Sequence, residues 1–488
     1  MMPQDPILRA FERIVRRDPL APLVVSPRRR NTVADVDALS RAAGAVLAGE
    51  AFSPGTPVGL ASANGPGFLA SLLALRRAGL AVLLLDARTP DTEALRILRA
   101  LGAPALLRCP AGWPAGPEDW SLAAVQGSGL SKTMTMADRG FPGAGFVKLT
   151  SGSTGTPRGI AAPSEALAAD DDALTTSMDL TAADRFLATI PLSHSYGLSS
   201  LAVPALVRGT VLAVPEEGSV YDPFVTAAST GATFFPTVPA YLDALVRMSD
   251  PPPRPDSLRL VITAGAPLAA ATSARFRERF GLPVHVFYGS SECGGICYDR
   301  EGGAAERGTV GSPVDGVRVT LEPVEGAANG DGAVLVASPA VSCGYLPEPD
   351  ERLAGGRFRA GDLATWRDGE LMLRGRLDDQ VNVKGKKVDP REVENVLAQL
   401  AGVDEAAVLG VSASGPAGSG GEVLRAVVAC RPGRLSAEEV VAWCRSHLSA
   451  HKVPRSVILV EALPRNDRGK LDRSALLALG TRSGDRIP

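Results

Sequence analysis

The chain has 488 residues, 45% of them hydrophobic and 21% charged, enough apolar material for a large core and, at ordinary domain sizes, about two to four domains. Lysine plus arginine number 51 against 53 acidic residues, so the net charge of −2 gives no general attraction to nucleic acid or an anionic membrane, and any bound anion must be met by local groups. No apolar stretch reaches the roughly 18 residues of a membrane span: Leu198 to Val214 is interrupted by Pro204 and Arg208, and Asp5, Arg9, Glu12 and Arg13 break up the N-terminus, so the expectation is a soluble cytoplasmic protein.

In chain order, residues 60–290 alternate helix-like apolar spacing with short apolar runs. A helix is predicted near Gly67 to Ala78, a strand over Ala81 to Leu85 and a helix near Thr92 to Leu101. Further strands are predicted at Phe146 to Leu149, Phe186 to Ile190, Val211 to Val214, Thr233 to Phe235, Leu258 to Thr263 and Val284 to Phe287. Such a pattern implies an α/β fold, a large N-terminal domain of layered mixed sheets and helices with ligands at the carboxyl ends of the strands. Cys109 to Gly145 is rich in Pro, Gly and Ser and reads as irregular connection.

After Val310 the pattern becomes strand-rich, with Val317 to Leu321, Ala333 to Ala337 and Glu370 to Leu373. Past the charge run Arg374 to Asp379 come a helix from Arg391, runs Ala406 to Val411 and Val423 to Cys430, a helix from Ala437 and a run Val457 to Val460, the pattern of a small α+β C-terminal domain. The boundary is expected at 378–379, giving domains 1–377 and 378–488.

The six cysteines lack paired metal-ligand spacing, and no nearby histidine completes a zinc site around Cys293 and Cys297. Lysine occurs only at 132, 148, 384, 386, 387, 452 and 470, so a lysine that survives in this arginine-biased chain draws attention.

Directly after the run Phe146 to Leu149 lies Thr150-Ser151-Gly152-Ser153-Thr154-Gly155-Thr156-Pro157-Arg158-Gly159. Hydroxyl groups and glycines let such a loop turn its donors toward a polyphosphate, and the Walker spacing is absent, which disfavours an ordinary P-loop NTPase. With this loop the sequence resembles the adenylate-forming superfamily of acyl-CoA synthetases, luciferases and peptide-synthetase adenylation domains. The family's loop usually ends in Pro-Lys-Gly; Arg158 stands at the lysine place and keeps the charge.

The resemblance carries a set of expected roles. Tyr288-Gly289-Ser290-Ser291-Glu292 matches the family's Tyr-Gly-x-Thr/Ser-Glu element, which implies that Tyr288 stacks on adenine, Ser291 meets the α-phosphate and Glu292 helps hold Mg²⁺ on ATP. Ala264, Gly265, Ala266 and Pro267 match a segment that lines the adenine. Asp362 matches an aspartate that accepts both ribose hydroxyls, and Arg376 its companion. Asp378 falls at the hinge of a mobile C-terminal domain, and Lys384 and Gly385 lie on the loop facing the thiol. Lys470, in Pro464 to Arg473, matches the catalytic lysine, a cation that offsets repulsion between the acid and the α-phosphate.

His194, in PLSHSYGL, sits where relatives carry a histidine or aromatic at the mouth of the acid pocket and is read as gating or positioning the carboxylate. Tyr196, Leu198, Ala264, Gly289, Cys293, Gly294, Gly295 and Ile296 complete the expected acyl pocket. The implied reaction uses ATP, Mg²⁺ and a carboxylic acid to make an acyl-AMP, then transfers the acyl group to coenzyme A or, alternatively, to the phosphopantetheine of a separate carrier protein. Closure of a lactone and a regulatory protein without chemistry are the more distant alternatives.

Overall fold

The structure, a computed structural model, describes residues 5–125, 134–150, 158–216, 218–324, 327, 330–377, 381–383, 386–388, 390–412, 422–448, 450–466 and 471–479. The chain forms two compact units. The first holds Met1–Val319, Leu335–Arg359 and Gly369–Leu371; the second holds Thr320–Val334, Ala360–Asp368 and Met372–Pro488.

Two large sheets organise the first unit. The nine-stranded sheet includes Arg185–Leu187, Val211–Ala213, Phe234–Thr237, Leu260–Thr263 and Val284–Ser290. Phe234–Thr237, Leu260–Thr263 and Val284–Ser290 run parallel to one another, with Thr237 opposite Thr263 and Thr263 opposite Val286. In the seven-stranded sheet, Pro57–Ser62, Ala81–Leu85 and Ala105–Cys109 are parallel, and Ala144–Thr150 turns back antiparallel into Arg158–Pro163. Ala81–Leu85 is buried at every residue, as expected of a strand covered on both faces.

The helix Pro66–Arg77 has Pro66 through Leu75 buried, which explains its poor amphipathic contrast: it belongs to the core on all sides. Asp5 caps the first helix, Pro6–Arg17, by accepting the Ile7 and Leu8 N–H groups. Its carboxylate also takes Arg76 Nε at 2.7 Å and Ser164 Oγ at 2.8 Å, tying three helices together.

A second polar tie orders the sheet. Asp184, buried ahead of the strand Arg185–Leu187, accepts Arg259 Nε at 2.8 Å and Nη2 at 2.6 Å, Thr233 Oγ1 at 2.7 Å and the Thr181 N–H at 2.8 Å. Burial pushes its carboxyl up, but Arg259, Thr233 and Thr181 outweigh that and bring it down to about 2. A lowered carboxyl contributes stability above its unfolded value near ~4, lost as pH falls toward 2. Asp184→Asn is expected to lower stability by about 1.5–3 kcal/mol at pH 7, one charged hydrogen-bond set, in urea unfolding. The gap between the two proteins should close between about pH 4 and pH 2.

Most sequence-predicted elements of this unit are present with ends moved by no more than three residues, and Ala81–Leu85 is unmoved. Cys109 to Gly145 was expected to be irregular, but Ser121–Ala124 forms an edge strand antiparallel to Ala105–Cys109. It is short and lacks a buried face, so it carries no apolar signal.

The strand-rich stretch gives Arg318–Pro323, Gly332–Ala337, Arg357–Arg367 and Glu370–Arg376, and the division between units falls within it. In the second unit Glu405–Ser412 pairs antiparallel with Glu422–Ala429, which pairs parallel with Ser456–Val460. The helices Pro390–Leu397 and Ala437–His447 accompany this sheet; their Val393, Leu397, Val440 and Cys444 share its apolar core, and Trp443 Nε1 donates to the Val396 carbonyl at 2.8 Å. Ser436 and Glu439 form a capping box at the second helix.

Candidate active site

The segment Thr150 to Gly159, expected to hold phosphate, connects two paired strands. Thr150 is opposite Arg158 and Leu149 opposite Gly159, while Ser151, Gly152, Ser153, Thr154 and Gly155 lie outside the described residues. Strand Gly344–Leu346 pairs with the outgoing strand, Tyr345 opposite Ile160. That pairing brings in a residue that the motifs do not mark. The Arg158 guanidinium lies over the Tyr345 ring, 4.0 Å from its centroid, and its Nη2 donates to Asp350 Oδ2 at 3.1 Å. The Tyr345 hydroxyl donates to Glu292 Oε1 at 2.9 Å.

Arg158 and Glu292, 134 positions apart in the sequence, are thus joined through one aromatic ring. Asp350, held first by Arg352 and then by Arg158, has its carboxyl well below the usual carboxylate range. An arginine suits this place: its planar fork stacks on the ring while one arm reaches the aspartate, which a lysine ammonium cannot do together. The exchange of lysine for arginine has a local structural reason.

Glu292 follows the strand Val284–Ser290 in a tight connection to Gly294–Tyr298; its N–H donates to Ser290 Oγ at 3.3 Å, and its carbonyl accepts the Ser342 N–H at 2.8 Å. Backbone and side chain are both held, so the carboxylate has a fixed place. No group of three or more His, Cys, Asp or Glu suited to a metal occurs among the described residues. A single carboxylate is the kind of oxygen donor that suits Mg²⁺ shared with phosphate oxygens.

Gly265, Ala266 and Pro267 are exposed just past the strand Leu260–Thr263, and Tyr288, Gly289 and Ser291 lie at the end of the neighbouring parallel strand. Both segments emerge at carboxyl ends, where ligands of such sheets gather. Gly265 has φ +86°, a conformation that a side chain would strain.

His194 follows the strand Arg185–Leu187 and starts a short helix. Its Nε2 is 3.3 Å from Asp86 Oδ2, within ion-pair distance but off the axis of a hydrogen bond. Asp86, at the end of Ala81–Leu85, was not marked by any motif. Its carboxyl is held below the usual range, chiefly by His194 and further by the Arg88 N–H at 2.8 Å. Asp86→Asn is expected to raise the KM for the acid about 10-fold with the KM for ATP unchanged, the loss of one charged contact on the histidine. Steady-state kinetics with each substrate varied in turn checks this.

Among the residues expected to line an acyl pocket, Leu198 and Cys293 are fully buried, and Tyr196 packs on Phe287 with ring centroids 5.9 Å apart. Ala264 and Ile296 are also buried, and burial pushes the Cys293 thiol up to about 12, so it stays protonated at neutral pH. Gly294 and Gly295 pack on helix Ser164–Ser177: a Cβ on Gly294 would come within 2.3 Å of the Asp170 carboxyl, and one on Gly295 within 2.8 Å of Leu174.

The second unit contains its own predicted pair. Asp362, on Arg357–Arg367, and Arg376, ending Glu370–Arg376, face each other with Arg376 Nε 4.0 Å from Asp362 Oδ1. Lys470 lies outside the described residues; among those that flank it, Arg465 and Leu471 pair as an antiparallel bridge, and the Asp472 N–H donates to the Pro464 carbonyl at 2.9 Å. Asp378, Lys384 and Gly385 also lie outside the described residues.

Comparison with known proteins gives this arrangement its class. Residues 11–140 and 145–346 match the AMP-binding enzyme family, and residues 392–470 match the AMP-binding enzyme C-terminal domain. The chain belongs to the AMP-binding enzyme family, as a member of the acyl-CoA synthetase type of adenylate-forming enzymes.

It is 30% identical to the 3-[(3aS,4S,7aS)-7a-methyl-1,5-dioxo-octahydro-1H-inden-4-yl]propanoyl:CoA ligase of Mycobacterium tuberculosis, over 96% of this chain and 98% of that one. It is also 30% identical to a feruloyl-CoA synthase from Amycolatopsis, over 94% and 96% of the two chains. In fold it matches ATP-bound MatB from Rhodopseudomonas palustris with a TM-score of 0.81, at 23% identity and over 99% of both chains.

Proposed function

We propose that this chain is an AMP-forming acid–CoA ligase: it activates a carboxylic acid with ATP as the acyl-AMP, releasing pyrophosphate, and then passes the acyl group to the thiol of coenzyme A, releasing AMP. The observation that carries this reading is the fixed Glu292 carboxylate, tied through Tyr345 to Arg158 at the foot of the phosphate-loop hairpin. It supplies an anion for a metal and a cation for phosphate from two different sheets.

In the first half-reaction the acid's carboxylate attacks the α-phosphorus and the bond to pyrophosphate breaks. Glu292 would hold Mg²⁺, which when bound offsets charge on the phosphates. The hydroxyl and amide donors from Thr150 to Gly155, with Ser291, would cradle the phosphates. Asp362 and Arg376 would take the ribose, and Gly265, Ala266, Pro267, Tyr288 and Gly289 the adenine.

His194, steadied by Asp86, would orient the acid's carboxylate. A carboxylic acid is already ionised at neutral pH, so no base is required for this step. Lys470 would stand between the carboxylate and the α-phosphate, easing repulsion and aligning the attack.

In the second half-reaction the thiol sulfur attacks the acyl carbon and the C–O bond to AMP breaks. A turn of the C-terminal domain about Asp378 would withdraw Lys470 and bring Lys384 and Gly385 toward the thiol, one site thereby serving two steps. The relatives named above are CoA ligases or synthases, which supports free coenzyme A over a carrier-bound phosphopantetheine. The reaction belongs in the cytoplasm, where ATP and coenzyme A are supplied; among the described residues no helix is long and apolar enough to cross a membrane.

Acid-dependent ATP–pyrophosphate exchange tests the first step. Exchange that appears only when an acid of the right class is added supports the reading, whereas ATP binding with no exchange across a broad acid panel would leave a nucleotide-binding protein without the chemistry.

A further inference from the structure

Lys148 and Asp170 have no part in the reaction above, yet each is only 3% exposed. Lys148 sits inside an otherwise apolar strand, on the same side as Phe146, which packs in the largest core cluster. Asp170 sits on helix Ser164–Ser177 against the glycine pair: its Oδ1 accepts the Gly295 N–H at 2.9 Å, and its carboxyl rests on Gly294 where a Cβ would stand.

The other half of that carboxylate is unfilled. Ser199 lies beside it, but among the described residues no donor meets Oδ2 with hydrogen-bond geometry. Burial pushes the Lys148 ammonium down and the Asp170 carboxyl up, and the charge of each draws the other back; Glu292 acts on Lys148 after Asp170, and neither carboxylate comes within the 4.0 Å of an ion pair. Next to Ser199, Ser200 Oγ also lacks a partner among the described residues. Buried polar groups are costly to leave unpaired and in native proteins are nearly always paired, so the unfilled Asp170 Oδ2 points to a ligand group that completes it.

We propose that this opposed pair receives a hydroxyl group carried by the acid at the end remote from its carboxylate, the Lys148 ammonium donating to the hydroxyl oxygen and the hydroxyl donating to Asp170 Oδ2. The substrate class is then a hydroxy-substituted carboxylic acid. The proposal rests on the acyl-activation reading, with Gly294 and Gly295 as a wall of the acyl pocket.

Charge selects a hydroxyl over other polar ends. A second carboxylate would meet Lys148 but face Asp170, with Glu292 also close by; an ammonium would meet Asp170 but face Lys148. An apolar end would leave both unpaired. A neutral group that accepts on one side and donates on the other satisfies both.

The test is ATP–pyrophosphate exchange by the full chain on matched acids: 4-hydroxybenzoic against benzoic, 3-(4-hydroxyphenyl)propanoic against 3-phenylpropanoic, and 6-hydroxyhexanoic against hexanoic acid. In at least one pair the hydroxylated acid is expected to show a kcat/KM about 10- to 100-fold higher, the effect of one hydrogen bond to a buried charged group. Lys148→Met and Asp170→Asn should each erase that preference while leaving the unsubstituted acid within about 3-fold, which also shows that the variant is folded.

Equal kcat/KM within every pair, or a preference that survives in folded variants, overturns the proposal and leaves the adenylation reading standing. Absence of exchange with every acid removes the adenylation reading and this one with it. The wild-type comparison decides even where a variant does not fold.

Discussion

Lys470→Ala is expected to slow acyl-AMP formation by about 10²- to 10³-fold, the range found when one preorganised donor to a developing charge is removed. The reaction brings an anionic carboxylate onto an anionic phosphate, and a positioned cation both orients and neutralises that encounter. The surrounding chain should keep its fold, because Arg465, Leu471 and Asp472 are held by backbone bonds that do not involve the Lys470 side chain. The loss should be confined to one half-reaction: with acyl-AMP supplied ready-made, transfer to coenzyme A by the variant should stay within about 3-fold of the parent. Rapid-quench measurement of each half-reaction separates the two. Equal losses in both would assign Lys470 to binding or stability, and adenylation at the parent rate would remove it from the chemistry.

Glu292→Gln is expected to have a comparable effect by a different route. The amide keeps an oxygen for the Tyr345 hydroxyl, so the contact that joins Tyr345 to the strand end survives. What disappears is the negative charge that a hard cation requires. Adenylation should fall about 10²- to 10³-fold, with the Mg²⁺ concentration for half-maximal exchange moved upward. Titrating Mg²⁺ in the exchange assay distinguishes this from a general loss; an unchanged Mg²⁺ dependence would place the metal elsewhere.

The sequence made the layered domain legible because its buried strands are short continuous apolar runs, as in Ala81 to Leu85. The nucleotide motifs were legible because they are contiguous: Tyr288 to Glu292 is one strand end. Asp362 and Arg376, 14 positions apart, meet because their strands, Arg357–Arg367 and Glu370–Arg376, are neighbours in one sheet.

Asp86, Asp170, Tyr345 and Asp350 were not legible, for a common reason. Each acts on a residue far away in the chain: Asp86 on His194, Asp170 on Gly295, Tyr345 on Glu292, Asp350 on Arg158. Only strand pairing and helix packing decide such meetings, and no local spacing records them. Lys148 did leave a trace, as one of few lysines in the chain, flanked by Val147 and Leu149 within an apolar strand. A charge in a buried run is costly, and that cost is the signal that it answers to something.

The central claim is that the chain couples ATP cleavage to AMP with formation of an acyl–coenzyme A thioester. The most direct measurement follows nucleotide and thioester together by liquid chromatography and mass spectrometry, using the full chain, ATP, Mg²⁺, coenzyme A and an acid that supports pyrophosphate exchange. AMP and acyl-CoA should appear in equal amounts, with no ADP, and AMP release should stop at enzyme-bound acyl-AMP when coenzyme A is left out. ADP as the product, or AMP released at the same steady rate without coenzyme A, would contradict the account.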